Sequence, residues 1–430
     1  MDLMDKIVSL CKRRGYFFPG SEIYGGLGGI YDLGPFGVEL AKNIKDLWWK
    51  SVVYDRDNIV GLDSSILMNQ KVWETSGHIE SFTDPLVECK NCHSRFRQDL
   101  LPKIRICPSC RKNNWTKPKM FNLMFKTYIG SVESKFSETY LRPETAQGIF
   151  VNFANVVDSI RVKLPFGIAQ IGKGFRNEIT IGNFLFRVRE FEMMELEYFT
   201  YPEKASQDFE YWKKERIDWY FSLGIKKENL RFRKHASDER AHYAKESVDI
   251  EYNWPFMDWG ELEGIANRTD FDLRAHSKAS GKDLSYFDQE TKKKVIPFVI
   301  EPSCGVGRVM LALLIDSYCE DNGRVILKLD PRIAPFKVAV FPLLSNKPKL
   351  VKLAQSVYKD LKKRVPTIWD DRGNIGKRYY AQDEVGTPWC VTVDFDSLVN
   401  KSVTVRDRDS TKQERIKISD LVDYFLKKLS

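Results

Sequence analysis

The sequence contains no apolar run of about 18 residues or more, so no membrane-spanning helix is expected. Its first residues, Met1-Asp2-Leu3-Met4-Asp5-Lys6, lack a basic segment followed by an apolar one. No secretory signal is therefore expected, and the cytosol is the expected location. Neither GxxxxGK[ST] nor a strand–GxGxxG–helix unit occurs, which removes two common phosphate-cradling loops. No internal repeat and no low-complexity tract is present, so a solenoid or a disordered chain is not expected.

What is present suits a multidomain globular protein. At 430 residues the chain is long enough for two or three domains. A hydrophobic content of 43% supports real cores, and 30% charged residues describe a soluble surface. The net charge of +9 is uneven: residues 334–430 hold +7 of it. A basic C-terminal quarter points to a polyanionic partner bound there, with a solvated lysine-rich surface as the plain alternative.

Eight cysteines fall into two groups. Cys11, Cys304, Cys319 and Cys390 are scattered, and a reducing compartment makes a disulfide framework unexpected. Cys89, Cys92, Cys107 and Cys110 form two Cys-x2-Cys pairs separated by 14 residues. Two such knuckles suit a tetrahedral Zn²⁺ held by four thiolates, structural because no coordination position stays open. The surrounding residues 86–118 have little periodicity and need something to fold around. His93, beside Cys92, reads as a bystander. Lys90, Arg95, Arg97, Lys103 and Arg105 give this insert a basic surface suited to nucleic acid.

Residues 1–80 read as helix, loop and helix leading into strands, with Leu40, Ile44 and Leu47 on one helical stripe. A mixed domain follows, and its charged stretch 202–251, with a helix over 203–223, reads as a decoration. Near Pro331 the character changes. Strands over 337–341, 367–371, 389–395 and 403–406 alternate with helices over 347–364 and 376–384, and Ser419 is placed as the N-cap of a last helix. The expected units are 1–85, an insertion at 86–118, a domain over 119–330 containing a helical insertion at 202–251, and a separate α/β domain at 334–430. Trp48-Trp49 reads as core, Lys292-Lys293-Lys294 as a solvated loop, and Lys362-Lys363-Arg364 as a basic helix end.

Three distant stretches carry the chemistry. A strand over 168–178 and a second over 187–199, joined by a turn at Gly182-Asn183, put Arg176, Glu178, Arg187 and Phe191 on one face. Such a hairpin clamps phosphate, reads a base edge and stacks a purine, with arginine suited to bidentate phosphate contact. A salt-bridged surface ladder is the plain alternative. The third stretch, Glu301-Pro302-Ser303-Cys304-Gly305-Val306-Gly307-Arg308, is a strand, a glycine turn and a helix start that aims Arg308 back over the sheet.

These stretches resemble the second and third motifs of class II aminoacyl-tRNA synthetases, and more narrowly the glycyl-tRNA synthetases of the dimeric type. The resemblance extends to Tyr31-Asp32-Leu33-Gly34-Pro35-Phe36-Gly37-Val38-Glu39-Leu40, Thr75-Ser76-Gly77-His78 and Leu141-Arg142-Pro143-Glu144-Thr145-Ala146-Gln147-Gly148. It continues through Glu261-Leu262-Glu263-Gly264-Ile265-Ala266 and Arg268-Thr269-Asp270-Phe271-Asp272-Leu273. In the last quarter Ile375-Gly376-Lys377-Arg378-Tyr379 and Asp383-Glu384-Val385-Gly386-Thr387-Pro388 resemble the family's anticodon-binding domain. One departure is visible: no proline lies between Gly37 and Pro85, and Gln70 stands where the first motif ordinarily has one.

The resemblance implies an α+β fold, in which helices flank the antiparallel sheet of a class II synthetase, with a zinc-binding insert and a C-terminal α/β anticodon-binding domain. It implies ATP-dependent ligation of glycine to tRNA(Gly) through glycyl-adenylate, with Mg²⁺, in a homodimer and with no membrane partner. ATP would be held by Arg176, Asn177, Glu178, Phe186, Arg187, Val188, Arg189, Glu190, Phe191, Glu261, Leu262, Gly305, Val306, Gly307 and Arg308. Of these, Arg176 and Arg308 would be catalytic. Glycine would be held by Arg97, Glu144, Phe191, Glu195, Arg268, Glu301, Ser303 and Gly305. Acyl activation of this kind needs no protein nucleophile, so His78, His93, His235, His242 and His276 read as structural. No amino acid is smaller than glycine, so no editing site is required. The reading from a different class is a synthetase-like accessory protein that binds nucleic acid without aminoacylation.

Overall fold

The structure is a computed structural model that describes residues 2–101, 106–134, 137–236, 239 and 244–429. Pro102, Lys103, Arg105 and His242 lie outside the described residues. The chain opens with helix α1 (Leu3–Arg14), capped by the Asp2 carboxylate, which accepts from the Asp5 N–H. Helix α2 (Pro35–Trp49) starts on a proline, whose missing N–H costs nothing in a first turn. Gly37 lets α2 lie directly on the backbone of Tyr16, since a Cβ there would sit 1.9 Å from the Tyr16 carbonyl oxygen. Leu40 and Ile44 are buried as the spacing predicts, Leu47 is half-buried, and Trp48 is core.

Seven strands form the central sheet: β1 (Ile59–Gly61), β2 (Phe166–Phe175), β3 (Glu190–Thr200), β4 (Leu230–Lys234), β5 (Glu246–Trp254), β6 (Asp258–Thr269) and β7 (Phe298–Gly305). Their order is β4-β5-β6-β7-β3-β2-β1, antiparallel throughout except for the parallel pair β1–β2. The longer helices that follow in this part are α3 (Ala146–Ile160), α4 (Ala205–Ser222), α5 (Phe271–Ser280) and α6 (Val306–Ser317).

Strand alternation divides the sheet into two unlike faces. One face presents Met194, Leu196, Tyr198, Ile265, Ile300 and Cys304 to a core shared with α1, α2, α4 and α6. The other presents Ile168, Phe199 and Val299 to α3 and the buried Leu273 of α5, with Phe150, Phe153, Phe166 and Phe199 in mutual ring contact. That second face is covered by helices at one end only, and its other end is where the cavity lies.

Two expectations need correction here. The strands of the hairpin run over Phe166–Phe175 and Glu190–Thr200, so Arg176, Glu178 and Arg187 lie in the connection rather than on strands. The connection contains a 3₁₀ turn, Phe184–Phe186, entered through Asn183 and Phe184 at positive φ, which ends the strand periodicity. Likewise the stretch 202–251 is no decoration. It supplies α4, which buries Phe209, Trp212, Trp219 and Tyr220 against the sheet, and it supplies β4 and β5 at the sheet's edge. Its charges occupy the solvent side of an otherwise aromatic helix, and the buried Arg216 donates to Glu263 of β6 at 2.7 Å.

The cysteine-bearing segment stands on a three-stranded sheet in the order Arg95–Arg97, Thr83–Glu88, Lys119–Asn122. The last quarter forms a second sheet from β8 (Val338–Pro342), β9 (Thr367–Trp369), β10 (Trp389–Val393), β11 (Ser402–Asp407) and β12 (Gln413–Lys417), in the order β9-β8-β10-β11-β12. It packs with α7 (Pro348–Lys362), α8 (Ile375–Glu384), α9 (Phe395–Asn400) and α10 (Leu421–Leu429) around a core of its own. Strand β12 and helix α9 are additions to the expected elements; β12 is polar and mostly exposed, so it carries no apolar alternation to read. Ser419 is not an N-cap: it sits inside a 3₁₀ turn, and its hydroxyl donates to the Asp420 carboxylate. The end of α8 is tied to the N-terminal elements. Glu384 pairs with Arg13 and Arg14, Arg324 pairs with Asp383, and the Tyr16 hydroxyl donates to the Val385 carbonyl at 2.9 Å.

Candidate active site

The open end of the second sheet face forms a cavity of about 240 Å³. Its floor is set by strand register. Glu195 of β3 faces Ser303 of β7, Ala266 of β6 faces Glu301, and Met193 faces Gly305, so the side chains of alternate residues converge. Arg176, Glu178, Arg187 and Val188 wall one side from the connection between β2 and β3. Gly307 and Arg308 wall another from the first turn of α6, and Glu144 enters from the loop before α3. Phe191 lines the cavity and lies against Gly174 across the hairpin; a Cβ on Gly174 would sit 2.8 Å from that ring.

Acids gather at one end. Glu195 is buried and accepts from Thr145 twice, through its N–H at 2.6 Å and through its hydroxyl, and from the Ser303 hydroxyl at 2.8 Å. Glu301 accepts from Arg268 Nη1 at 3.0 and 3.1 Å, and the other side of that guanidinium holds Asp272 at 2.8 and 2.9 Å. Glu144 accepts from Gln147 Nε2 at 3.2 Å and lies 3.4 Å from His78 Nε2. Burial pushes Glu301 up to about 8, against the pull of Arg268, and Glu144 and Glu195 add to the rise. Burial and then Glu144 raise Glu195. Glu144 moves the other way: burial raises it, but His78, Arg268 and Arg176 together hold it well below the usual carboxylate range.

Guanidinium groups gather at the other end, with few acid partners. Arg176 donates to the Pro143 carbonyl at 3.2 Å and lies over Phe191 and Phe82, 5.3 and 5.4 Å from their centroids. Among the described residues the Arg187 side chain forms no hydrogen bond or ion pair. Arg308 donates to the Phe186 carbonyl at 3.1 Å, lies 4.6 Å from the Phe186 ring centroid, and pairs with Glu261 at 3.1 Å. Arg308 first, with Arg176 adding, lowers the Glu261 carboxyl. Arg176 and Arg308 therefore share one cleft. Burial raises Glu178, against Arg187 and Arg176, and its Oε2 has no hydrogen-bond partner among the described residues.

Other residues expected here turn their side chains elsewhere. Leu262 and Val306 are buried in the core beneath the sheet. Glu190 pairs with Lys173 on the opposite side of the hairpin. Arg189 donates to the carbonyls of Gly28 and Glu178, and Asn177 extends a backbone bond to Leu123. Arg97 pairs with Asp84 and Asp99, and Arg268 is wholly buried behind Glu301. Alternation accounts for Glu190 and Leu262; the others follow from partners that outcompete the cavity. Thr145, Gln147 and Asp272, which hold the acids in place, had not been singled out, and His78, read as structural, joins them 3.4 Å from Glu144. All four lie inside the motifs quoted above, yet only the contacts reveal what they do.

The four insert cysteines bring their sulfurs within 4.8 Å of one another. Cys89 and Cys110 are 3.5 Å apart and Cys92 and Cys107 3.6 Å, near the edge of a tetrahedron with metal–sulfur bonds of about 2.3 Å. The two knuckles are alike: the His93 N–H donates to the Cys89 carbonyl and the Arg111 N–H to the Cys107 carbonyl, each at 2.8 Å, with both donors at positive φ. The donor set fits Zn²⁺. His93 turns its ring to Glu88 instead.

Comparison with known proteins gives the family. The model of the tRNA synthetase class II core domain (G, H, P, S and T) matches residues 130–318, and that of the anticodon binding domain matches 337–428. A glycine–tRNA ligase of Caldanaerobacter subterraneus subsp. tengcongensis is 52% identical over 99% of this chain and 98% of its own length. The chain belongs to the glycine–tRNA ligase family. Similar agreement is found with the ligases of Thermobifida fusca, 51% identical over 100% of this chain and 98% of that protein, and Borreliella burgdorferi, 51% over 98% and 96%. The fold is accordingly α+β, with a class II synthetase core and a C-terminal anticodon-binding domain. Among the described residues no helix is long and apolar enough to cross a membrane.

Proposed function

We propose that this chain ligates glycine to tRNA(Gly) through glycyl-adenylate, consuming ATP and releasing AMP and pyrophosphate. The observation that carries the reading is the division of one cavity into an acid end and an arginine end. Glu144, Glu195 and Glu301, with Ser303, surround the ammonium of glycine. Its carboxylate is thereby aimed at the arginine end, where ATP lies bent. An oxygen of that carboxylate attacks the α-phosphorus, and the bond to pyrophosphate breaks. Arg176 neutralises the α-phosphate as charge moves, while Arg187 and Arg308 hold the far phosphates. Phe191 stacks on the purine, and Glu178 accepts from its amino group. Arg268 acts through Glu301 rather than on substrate.

Glu261, half-exposed with only one oxygen in its pair with Arg308, is the residue that would hold Mg²⁺. When bound, Mg²⁺ neutralises phosphate charge. The four cysteines would hold a structural Zn²⁺ that stabilises the insert. We further infer a homodimer, a cytoplasmic location, and units bounded at 86–118 and 334–430, the last carrying the anticodon contacts on its basic surface. The accessory-protein alternative draws no support from relatives named as ligases. Glycine-dependent exchange of pyrophosphate into ATP is the test. Exchange that requires glycine is expected, and its absence from folded, zinc-replete protein would overturn the proposal.

A further inference from the structure

Glu197 lies one pleat deeper than Glu195 on the same face of β3 and is fully buried. The register that pairs Glu195 with Ser303 and Tyr198 with Ile300 sets Glu197 across from Glu301. Carboxyl-bearing residues directly opposite on neighbouring strands have Cβ atoms roughly 5 Å apart, too close for both to ionise in a dry site. On the other side of Glu197, β2 offers only Ile168. The charged groups that act on it are Glu301 from β7, Arg268 from β6, Glu195 from its own strand and Asp272 from α5. Arg268 is already committed to Asp272 and Glu301. His276 of α5 is bonded to Gln147.

The members of this cluster differ in one respect. Glu195 and Glu301 have both oxygens engaged by donors. Among the described residues neither oxygen of Glu197 has a hydrogen-bond partner. A buried carboxylate with no donor is the costliest place for a charge, so a proton shared by the cluster resides there. Burial, with Glu301 adding, holds Glu197 well above the ordinary carboxylate range.

We propose that Glu197 is a protonated carboxylic acid in the free protein and that the ammonium of glycine, on entering the acid end, expels that proton to solvent. The Glu197 O–H bond breaks, the proton passes to buffer, and the new carboxylate balances the bound ammonium. Glu197 is then a positioning residue. It stores the pocket's fourth negative charge in neutral form until the cation arrives, which keeps the empty pocket from repelling itself. This rests on the glycine reading of the cavity.

The test is calorimetric binding of glycine near pH 7 in buffers of differing ionisation enthalpy, with an ATP analogue present. Glu301, raised to about 8, gives up its own proton in either protein, so the expected difference is the readout: Glu197→Gln is expected to release about one proton per glycine fewer than the wild type. Binding with no release in the wild type, or the same release from Glu197→Gln as from the wild type, would overturn the proposal. If Glu197→Gln does not fold, infrared difference spectra of the wild type decide. Loss of a protonated-carboxyl stretch on adding glycine supports the proposal, and an unchanged carboxyl region refutes it. Failure to bind glycine at all would instead strike the proposed function.

Discussion

The two ends of the cavity are built on opposite principles. At the acid end every lining carboxylate already has partners: Thr145 and Ser303 hold Glu195, Arg268 holds Glu301, and Gln147 and His78 hold Glu144. At the arginine end Arg187 is unpaired among the described residues, and Arg176 is held by one backbone carbonyl. A small ammonium needs acceptors fixed in advance, because it brings little surface to pay for ordering them. A triphosphate brings its own charge and can order long guanidinium side chains when it binds. The difference teaches that stability and activity are written in separate residues of one site.

The sharpest way to break that comparison is Arg268→Ala. It leaves Glu301 and Asp272 buried without their cation, and a loss of about 3–5 kcal/mol in unfolding free energy is expected from denaturant melts. A near-neutral result would mean the acid end is not held as described. Arg176→Ala should do the reverse. Pyrophosphate exchange is expected to fall about 100- to 1,000-fold with little change in melting temperature. Arg308→Ala should also suppress exchange while leaving tRNA binding largely intact, as judged by filter retention.

The pH dependence sharpens the contrast further. Glu301 is raised to about 8, so the folded state binds more protons than the unfolded state between the ordinary carboxylate range and about 8. Stability contributed there is present at the low end of that window and lost as pH rises through it. Glycine, which uses the ionised acids, should bind more tightly over the same rise. Parallel trends in melting temperature and glycine affinity would contradict the assignment. The smallest effect belongs to Glu190→Gln, whose side chain faces Lys173 outside the cavity, and exchange should change by less than about twofold.

Much of this was legible before any coordinates. The arginines at 176, 187 and 308 and the cysteine knuckles could be read from residue type and spacing, whereas the acids at 144, 195 and 301 were expected in the pocket only through the family resemblance. Alternation alone placed Phe191 and Glu195 on one face correctly. It failed at Arg187, because the 3₁₀ turn at Phe184–Phe186 breaks the strand, and that turn depends on the positive φ of Asn183 and Phe184. The stretch 202–251 misled because its charges outnumber the aromatics that form the buried side of α4. Strand β12 was invisible because an exposed polar edge has no periodicity to read. The partners of the acids, Thr145, His78 and Asp272, become functional only through distances that no spacing encodes.

The most direct test is a crystal structure with a non-hydrolysable glycyl-adenylate analogue. The account expects the ammonium among Glu144, Glu195 and Glu301, the phosphate mimic beside Arg176, and the purine on Phe191. An analogue bound with its amine toward Arg176 or Arg308, or lodged outside this cavity, would contradict it.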